Sequence, residues 1–324
     1  LWYNYSMDKA KELDQFFTSD DVALKCLEEF MKLASQLGYS DLKAVHFLEP
    51  SAGGGAFLRA LDDKNLGWTG WDIDPQAKGV IENDFLRGEN PALPNREIIT
   101  IGNPPFGKRA KLAIDFINRA LEISETVAFI VPLQFNKYSA QSKINQRARL
   151  VWSVNLASDS FVYCGEEYSV RCCFQVWTLR SGLADLRLRH APQIKHPDFE
   201  MWQYNNTRQA EKYFNKKEYG WDFAVPRQGY KDYTIQESDP DLMGRRTQWI
   251  FFKAKSPEIL ARLKALDFEK LSHKNTSTPG FGKADVIEEY KRLYDSSVIS
   301  TEIQTFQLDE PKPSLAGNLS LLDL

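Results

Sequence analysis

The sequence is poor in the side chains that hold metals and disulfides. Its four cysteines, Cys26, Cys164, Cys172 and Cys173, form no C-x-x-C pair, and none of its four histidines stands near a cysteine pair. A zinc site has little to build on, and the expectation is reduced, buried thiols. No run approaches the roughly 18 uninterrupted apolar residues of a membrane helix. The first residues also lack the basic-then-apolar order of a secretion signal, so the expectation is a soluble, cytoplasmic chain that meets no membrane. The dinucleotide fingerprint G-x-G-x-x-G is missing, and there is no internal repeat.

What is present suits a folded chain of two domains: 324 residues, 43% hydrophobic and 13% aromatic. The net charge of -3 hides an uneven spread. Between Asn103 and Leu150, eight lysines and arginines stand against three carboxylates, and between Arg187 and Arg292 the balance is 20 to 15. The last thirty residues run the other way, with Asp295, Glu302, Asp309, Glu310 and Asp323 against Lys312. An acidic tail therefore masks a mildly basic body, although scattered Lys and Arg are ordinarily solvated faces.

Up to about residue 180 the pattern alternates. Val22 to Leu37 has apolar residues at helical spacing and stops at Gly38. Short apolar runs then end in turn residues: 44–48 before "EPSAGGG", 68–73 before Asp74-Pro75, 98–101 before "NPPF", and 127–131 before Pro132. Helical patterns at 56–61 and 112–123 lie between them. Strand-helix-strand alternation predicts a parallel sheet covered by helices. Two further runs, 160–164 and 170–179, read as a β-hairpin closing the sheet's edge.

Ligands of such a sheet collect beyond the carboxyl ends of its strands, where the punctuating motifs fall. "FLEPSAGGGAFL" (47–58) supplies glycines that let backbone approach a ligand before a helix begins. "GWDIDP" (70–75) ends an apolar run on Asp72, a carboxylate placed to accept both hydroxyls of a ribose, although an isolated acid there is more often a cap or a solvated group. "ENDFL" (82–86) sets Asp84, an acceptor for an exocyclic amine, beside the apolar Phe85. "IGNPPFG" (101–107) places two prolines, which cannot donate to a sheet, directly after a strand.

Together with "DQFFT" (14–18) and "TVAFIVP" (126–132), these segments resemble, in order, the motifs of S-adenosylmethionine-dependent N6-adenine DNA methyltransferases. The resemblance spans roughly residues 12–180, in the arrangement where the cofactor motifs precede the catalytic one and target recognition follows. It implies an α/β, Rossmann-like methyltransferase sheet with a terminal β-hairpin. S-adenosyl-L-methionine is the implied cofactor. Phe16 and Thr18 would border its methionine moiety; Glu49 and the backbone of Ser51, Gly53 and Gly55 would hold its amino and carboxylate groups. Asp72 would take the ribose, Ile73 would pack on the adenine, and Asp84 with Phe85 would receive the adenine's amino edge.

The same resemblance explains the prolines. An adenine amino nitrogen is a poor nucleophile because its lone pair is delocalised into the ring. Held tetrahedrally by two acceptors, the Asn103 side-chain oxygen and the Pro104 carbonyl, it would regain that lone pair; Pro104 and Pro105 fix the carbonyl's direction, and Phe106 offers a flat face to the base. No tuned base, metal or covalent intermediate is needed. The adenine must first leave the stack, with Lys108, Arg109 and Lys137 placed for phosphates. Phe161 and Tyr163 are further candidates for holding the base, or core strand residues.

After Ser181-Gly182 the rhythm ends. Residues 1–186 are expected to form the catalytic domain and 187–294 a smaller mixed α+β recognition domain, with a helix from Pro257 to Leu266. Residues 295–324 form the acidic, aperiodic tail. Arg245 and Arg246 are the candidates there for guanine edges or phosphates. The implied partner is duplex DNA, in a restriction-modification, phage or orphan methylation system that can include a cognate restriction endonuclease, in a bacterial or phage-infected cell. Structured RNA is the alternative partner, since the pocket chemistry is the same. A glutamine-methylating enzyme would favour tyrosine over Phe106, and a catalytically silent nucleic-acid-binding subunit would not need Asn103–Phe106 and Asp72 intact.

Overall fold

A computed structural model describes residues 17–89, 91–107, 110–156, 161–163, 166–167, 171–229, 232–273 and 278–295. In chain order the first part comprises β1 (Phe17–Thr18), α1 (Asp20–Ala34), β2 (His46–Glu49), α2 (Ala56–Asp63), β3 (Trp68–Asp72), β4 (Ile81–Glu82) and β5 (Ile98–Gly102). There follow α3 (Lys111–Ala120), β6 (Thr126–Pro132), α4 (Tyr138–Gln141), β7 (Arg149–Asn155), β8 (Phe161–Tyr163), β9 (Glu166–Glu167) and β10 (Cys172–Thr178). Seven strands form one sheet in the order β4-β3-β2-β5-β6-β10-β7. Its first five members are mutually parallel, and β10 enters antiparallel between β6 and β7.

The chain enters this sheet at β2, runs outward to β4, returns to β5 beside β2, and then runs outward the other way. Strand order therefore reverses between β2 and β5, and their carboxyl ends flank the crevice in which an open α/β sheet accepts ligands. The fold is Rossmann-like α/β. Its helices are amphipathic: α1 buries Ala23, Cys26, Leu27, Phe30, Leu33 and Ala34, and α3 buries Ala113, Ile114, Phe116, Ile117 and Ala120. The cysteines described, Cys26, Cys172 and Cys173, are free and buried.

The closing strands differ from the hairpin expected of 160–164 and 170–179. The partners of β10 are β6 and β7, while β8 pairs with β9 and β1 in a separate three-stranded sheet. Burial explains this. Every residue of Cys172–Thr178 is buried, so that strand needs a neighbour on each edge and cover on each face; the half-buried β7 takes the edge instead. The terminal antiparallel pair is thus β7 with β10.

The remaining described chain forms β11 (Phe199–Tyr204), α5 (Lys216–Tyr219), β12 (Phe223–Gln228), β13 (Gln248–Ala254), α6 (Pro257–Lys264), α7 (Phe268–Ser272) and α8 (Lys283–Tyr294). Strands β11, β13 and β12 make a small antiparallel sheet in that order. Period-two alternation gives it two apolar faces. Phe199, Met201, Phe223, Val225, Ile250 and Phe252 pack under α6, α7 and α8, while Tyr204, Ala224, Trp249 and Phe251 pack with Phe214 and Trp221. These clusters are separate from the core of the large sheet. Arg187 stays with the first part: its guanidinium donates to the carbonyls of Gln141, Ile144, Asn145 and Ala148 at 2.6 to 3.0 Å. No helix of the described residues is long and apolar enough to cross a membrane.

Candidate active site

Glu49 closes β2. It is 3% exposed, and its Oε2 has no hydrogen-bond partner among the described residues. Burial pushes its carboxyl well above the usual carboxylate range, the neighbouring Asp72 charge adds to that, and Arg59 opposes it. Its side chain lies against Gly102, the last residue of β5, whose φ is +152° and where a Cβ would come within 3.1 Å of Glu49 Cγ. The φ is one that side-chain-bearing residues rarely adopt, and a Cβ would crowd Glu49 as well.

The turn after β2 folds onto β3. Gly53 N–H donates to Asp72 Oδ2 at 2.7 Å, Asp74 N–H to Asp72 Oδ1 at 2.8 Å, and Ala52 N–H to the Trp71 carbonyl at 2.8 Å. Burial raises the Asp72 pKa, and these backbone donors partly offset the rise. Each carboxylate oxygen retains a lone pair for a further hydroxyl. Next to it Ile73 is 53% exposed, an aliphatic side chain at the carboxyl edge of the sheet. Gly55 opens α2 at φ +77°, with room for no Cβ: one would stand 2.8 Å from Ala77 Cβ. Arg59 donates to the Gly54 carbonyl at 2.6 Å and to both Asp20 oxygens, tying the glycine turn to the start of α1.

Asn103 follows β5 across the switch point. Ser51 Oγ donates to its carbonyl at 3.2 Å, and its Nδ2 donates to Thr18 Oγ1 at 3.1 Å. The first loop, the Asn-Pro-Pro segment and β1 are therefore one bonded set. Pro104 is buried and Pro105 half-buried, and no described residue donates to the Pro104 carbonyl.

Two aromatics lie deeper than a stacking role requires. Phe106 is 6% exposed and belongs to the main hydrophobic core. Phe85 is packed between Trp71 and Phe116, at centroid distances of 6.1 and 5.2 Å. Asp84 is half-buried and uses Oδ1 to accept the backbone N–H groups of Leu86 and Arg87 at 3.1 and 3.2 Å. Lys137 is half-buried and stands at the start of α4, beyond the carboxyl end of β6. Phe16, Lys108 and Arg109 lie outside the described residues, as do the side chains of Phe161 and Tyr163. Arg245 and Arg246 are exposed on the turn into β13, in the other sheet.

Three contributors were not evident from the motifs: Gly102, Arg59 and the Thr18–Asn103 bond. A glycine closing an apolar strand directly before Asn103 is a signal for the first. The others join residues far apart in the chain and leave no local pattern.

No protein-family model matches the chain, and no curated protein matches it. Among solved structures it is similar to a candidate class I S-adenosylmethionine-dependent methyltransferase of Listeria monocytogenes, at 14% identity over 52% of this chain and 62% of that one, with a TM-score of 0.37. The chain thus spans less than two thirds of that protein's length. A candidate RNA methyltransferase of Pyrococcus horikoshii matches at 17% identity over 51% of this chain and 87% of that one, with a TM-score of 0.36. A Thermoplasma acidophilum protein matches at 16% identity over 50% and 98%, with a TM-score of 0.34.

Proposed function

We propose that the chain transfers a methyl group from S-adenosyl-L-methionine to the N6 amino nitrogen of an adenine flipped out of duplex DNA. The observation that most supports this reading is the meeting of Glu49, Asp72 and Asn103 at one switch point of a parallel sheet, with Ile73 exposed beside them. The residues fit the cofactor. Glu49 Oε2, buried and without a described partner, suits an ammonium group, and the glycine turn closed by Gly55 admits a carboxylate close to backbone. Asp72 accepts the ribose hydroxyls through its remaining lone pairs, Ile73 covers the adenine ring, and Asp84 meets its amino edge, with Phe85 packed in the core behind it. The bound cofactor supplies a methyl group carried on a sulfonium.

Asn103 Oδ1 and the Pro104 carbonyl then accept the two hydrogens of the target amine, which frees the nitrogen lone pair toward that methyl. The prolines hold the carbonyl in place without N–H groups of their own. Phe106, already in the core, gives the base an apolar floor more than an open stacking face. Extrusion of the base costs a few kcal/mol, recovered from pocket and phosphate contacts, and the region built on β11–β13 selects the sequence. The test is expression of the full chain with a plasmid, followed by sequencing of modified bases. N6-methyladenine at a defined sequence is the expected result. Methylated RNA with unmodified DNA would move the substrate, and a chain that binds the cofactor yet modifies neither would move the reaction to another acceptor.

A further inference from the structure

Three arginines stand at one end of the small sheet without a direct ion pair to a described carboxylate. On the helical side of the same sheet several cations are paired, Arg262 with Glu258 and both Lys270 and Arg292 with Glu289, while Lys283 donates to the Met201 carbonyl. At the end where β11 and β12 stop and β13 begins, Arg227, Arg245 and Arg246 form no ion pair with a described residue. Arg227 is half-buried and held by neutral oxygens: its Nε donates to the Phe281 carbonyl at 3.0 Å, and its Nη1 to Asn205 Oδ1 at 3.0 Å and Gln248 Oε1 at 2.7 Å. Burial lowers the Arg227 pKa, and the Asp285 carboxylate opposes that from beyond ion-pair distance, so a half-buried cation is left with only distant compensation, which is costly unless a partner adds to it.

Arg227 also decides how two carboxamides point. A guanidinium only donates, so the oxygens of Asn205 and Gln248 face it and their amide nitrogens face away. Gln203 Nε2 adds a bond to the same Asn205 oxygen at 2.6 Å. Neither Asn205 Nδ2 nor Gln248 Nε2 bonds a described residue. Just before Gln248, the carbonyls of Arg245 and Arg246 are held by Tyr204 Oη at 2.8 Å and Asn206 Nδ2 at 3.1 Å, and the Arg245 guanidinium lies 3.4 Å over the Phe214 ring. The turn's acceptors are thus tied inward, and the side chains it sends outward are donors.

A short chain of contacts joins this end to the large sheet. Arg171, just before β10, donates to the His273 carbonyl at 3.0 Å; Gly280 N–H donates to the Ser272 carbonyl at 2.6 Å; Gly280 bridges to Gln228. The donor-rich end therefore connects to the start of β10, beside the carboxyl end of β6 and at the same end of the large sheet as Asn103.

We infer that this end of the small sheet reads guanine in duplex DNA, through the amide donors of Asn205 and Gln248 and the guanidinium groups of Arg245 and Arg246. Guanine presents two acceptors, O6 and N7, in the major groove, whereas adenine and cytosine each present an amino donor there. Donors fixed in advance by Arg227 favour the first and repel the others. The inference rests on the reading of the chain as a DNA-modifying enzyme and adds what its second region selects.

The test is selection of bound sequences from a pool of random duplexes by the full-length chain, which needs no methyl transfer. The expected outcome is a motif with at least one required guanine. Gln248→Glu keeps the oxygen that Arg227 bonds and replaces the outward donor by an acceptor, so one position should shift from guanine toward cytosine. Asn205→Ala, at an exposed site, should relax one position roughly tenfold. A motif without guanine, variant motifs identical to the wild type's, or no enrichment of any duplex would each overturn the inference. Methyl transfer assayed in parallel separates the two claims: a guanine motif without methylation leaves this one standing and removes the proposed reaction, and methylated adenines in a guanine-free motif do the reverse.

Discussion

The two sheets carry charge imbalances of opposite sign. At the switch point of the large one, Glu49 and Asp72 are buried side by side, and no described cation forms an ion pair with either, Arg59 acting only from a distance. At the open end of the small one, no described carboxylate forms an ion pair with Arg227, Arg245 or Arg246, Asp285 acting on Arg227 only from a distance. Each imbalance costs stability in the free protein, and each describes the missing partner: a cation bearing hydroxyls for the first, a polyanion for the second. The cores differ in kind as well. The large sheet buries parallel strands of mostly aliphatic residues under helices, whereas the small sheet is faced on both sides by aromatic rings.

If that division holds, changes in one sheet should leave the other's task intact. The largest effect belongs to Asn103→Ala, which should lower kcat by at least about 10²-fold by removing one acceptor used in the transition state, with the fold and cofactor affinity retained. Turnover within tenfold of the wild type in a single-turnover assay would place the chemistry elsewhere. Asp72→Ala should weaken cofactor binding by about 1.5–3 kcal/mol, the worth of charged hydrogen bonds to two hydroxyls, while DNA affinity changes little; calorimetry with unaltered cofactor affinity would relocate the ribose.

On the other side of the comparison, Arg245→Ala and Arg246→Ala made separately should spare cofactor binding. Loss of a base-edge contact costs about 1–3 kcal/mol and relaxes one position of the site; loss of a phosphate contact instead lowers the salt slope by about one charge. Variants that bind and methylate like the wild type across a salt titration would make these arginines bystanders. The smallest effect is on stability. Because the Glu49 pKa is raised on folding, the native state binds more protons than the unfolded one, and stability falls as pH rises above the unfolded value of about 4.3. Glu49→Gln should therefore melt higher than the wild type at pH 7 without cofactor, by about 1 kcal/mol, with the gain gone near pH 4. An equal difference at both pH values would mean the carboxylate is not the cause.

Much of the large sheet was legible because four of its five parallel strands end at or just before turn residues, Glu49-Pro50, Asp72 ahead of Asp74-Pro75, Asn103-Pro104 and Pro132, whereas the two-residue β4 carries no such signal. The position of Asp72 and the exposure of Ile73 follow from the same punctuation. Pairing was not legible. Nothing local in Cys172–Thr178 says whether it closes an edge or slips between two strands; that depends on what covers it. Phe85 and Phe106 looked like ligand walls because they flank polar motif residues, yet their rings lie in the core, since an aromatic in the turn after a strand is as easily packed as exposed. The second region, read from composition alone, hid α8 and the Asn205–Arg227–Gln248 set, whose members come from three separate stretches of chain.

Strand β1 has a consequence for the order in which the molecule is made. Phe17 and Thr18 pair with Val162 and Phe161, and Thr18 also holds Asn103, so this strand finds its pairing partner only after β2 to β7 have been synthesised. Contacts this distant in sequence close slowly and late. A nascent chain can thus lay down most of the parallel sheet while the strand that carries Thr18 still lacks its pairing partner. The bond from Thr18 to Asn103 would be among the last contacts a newly made molecule fixes, and among the first it loses if β1 peels away.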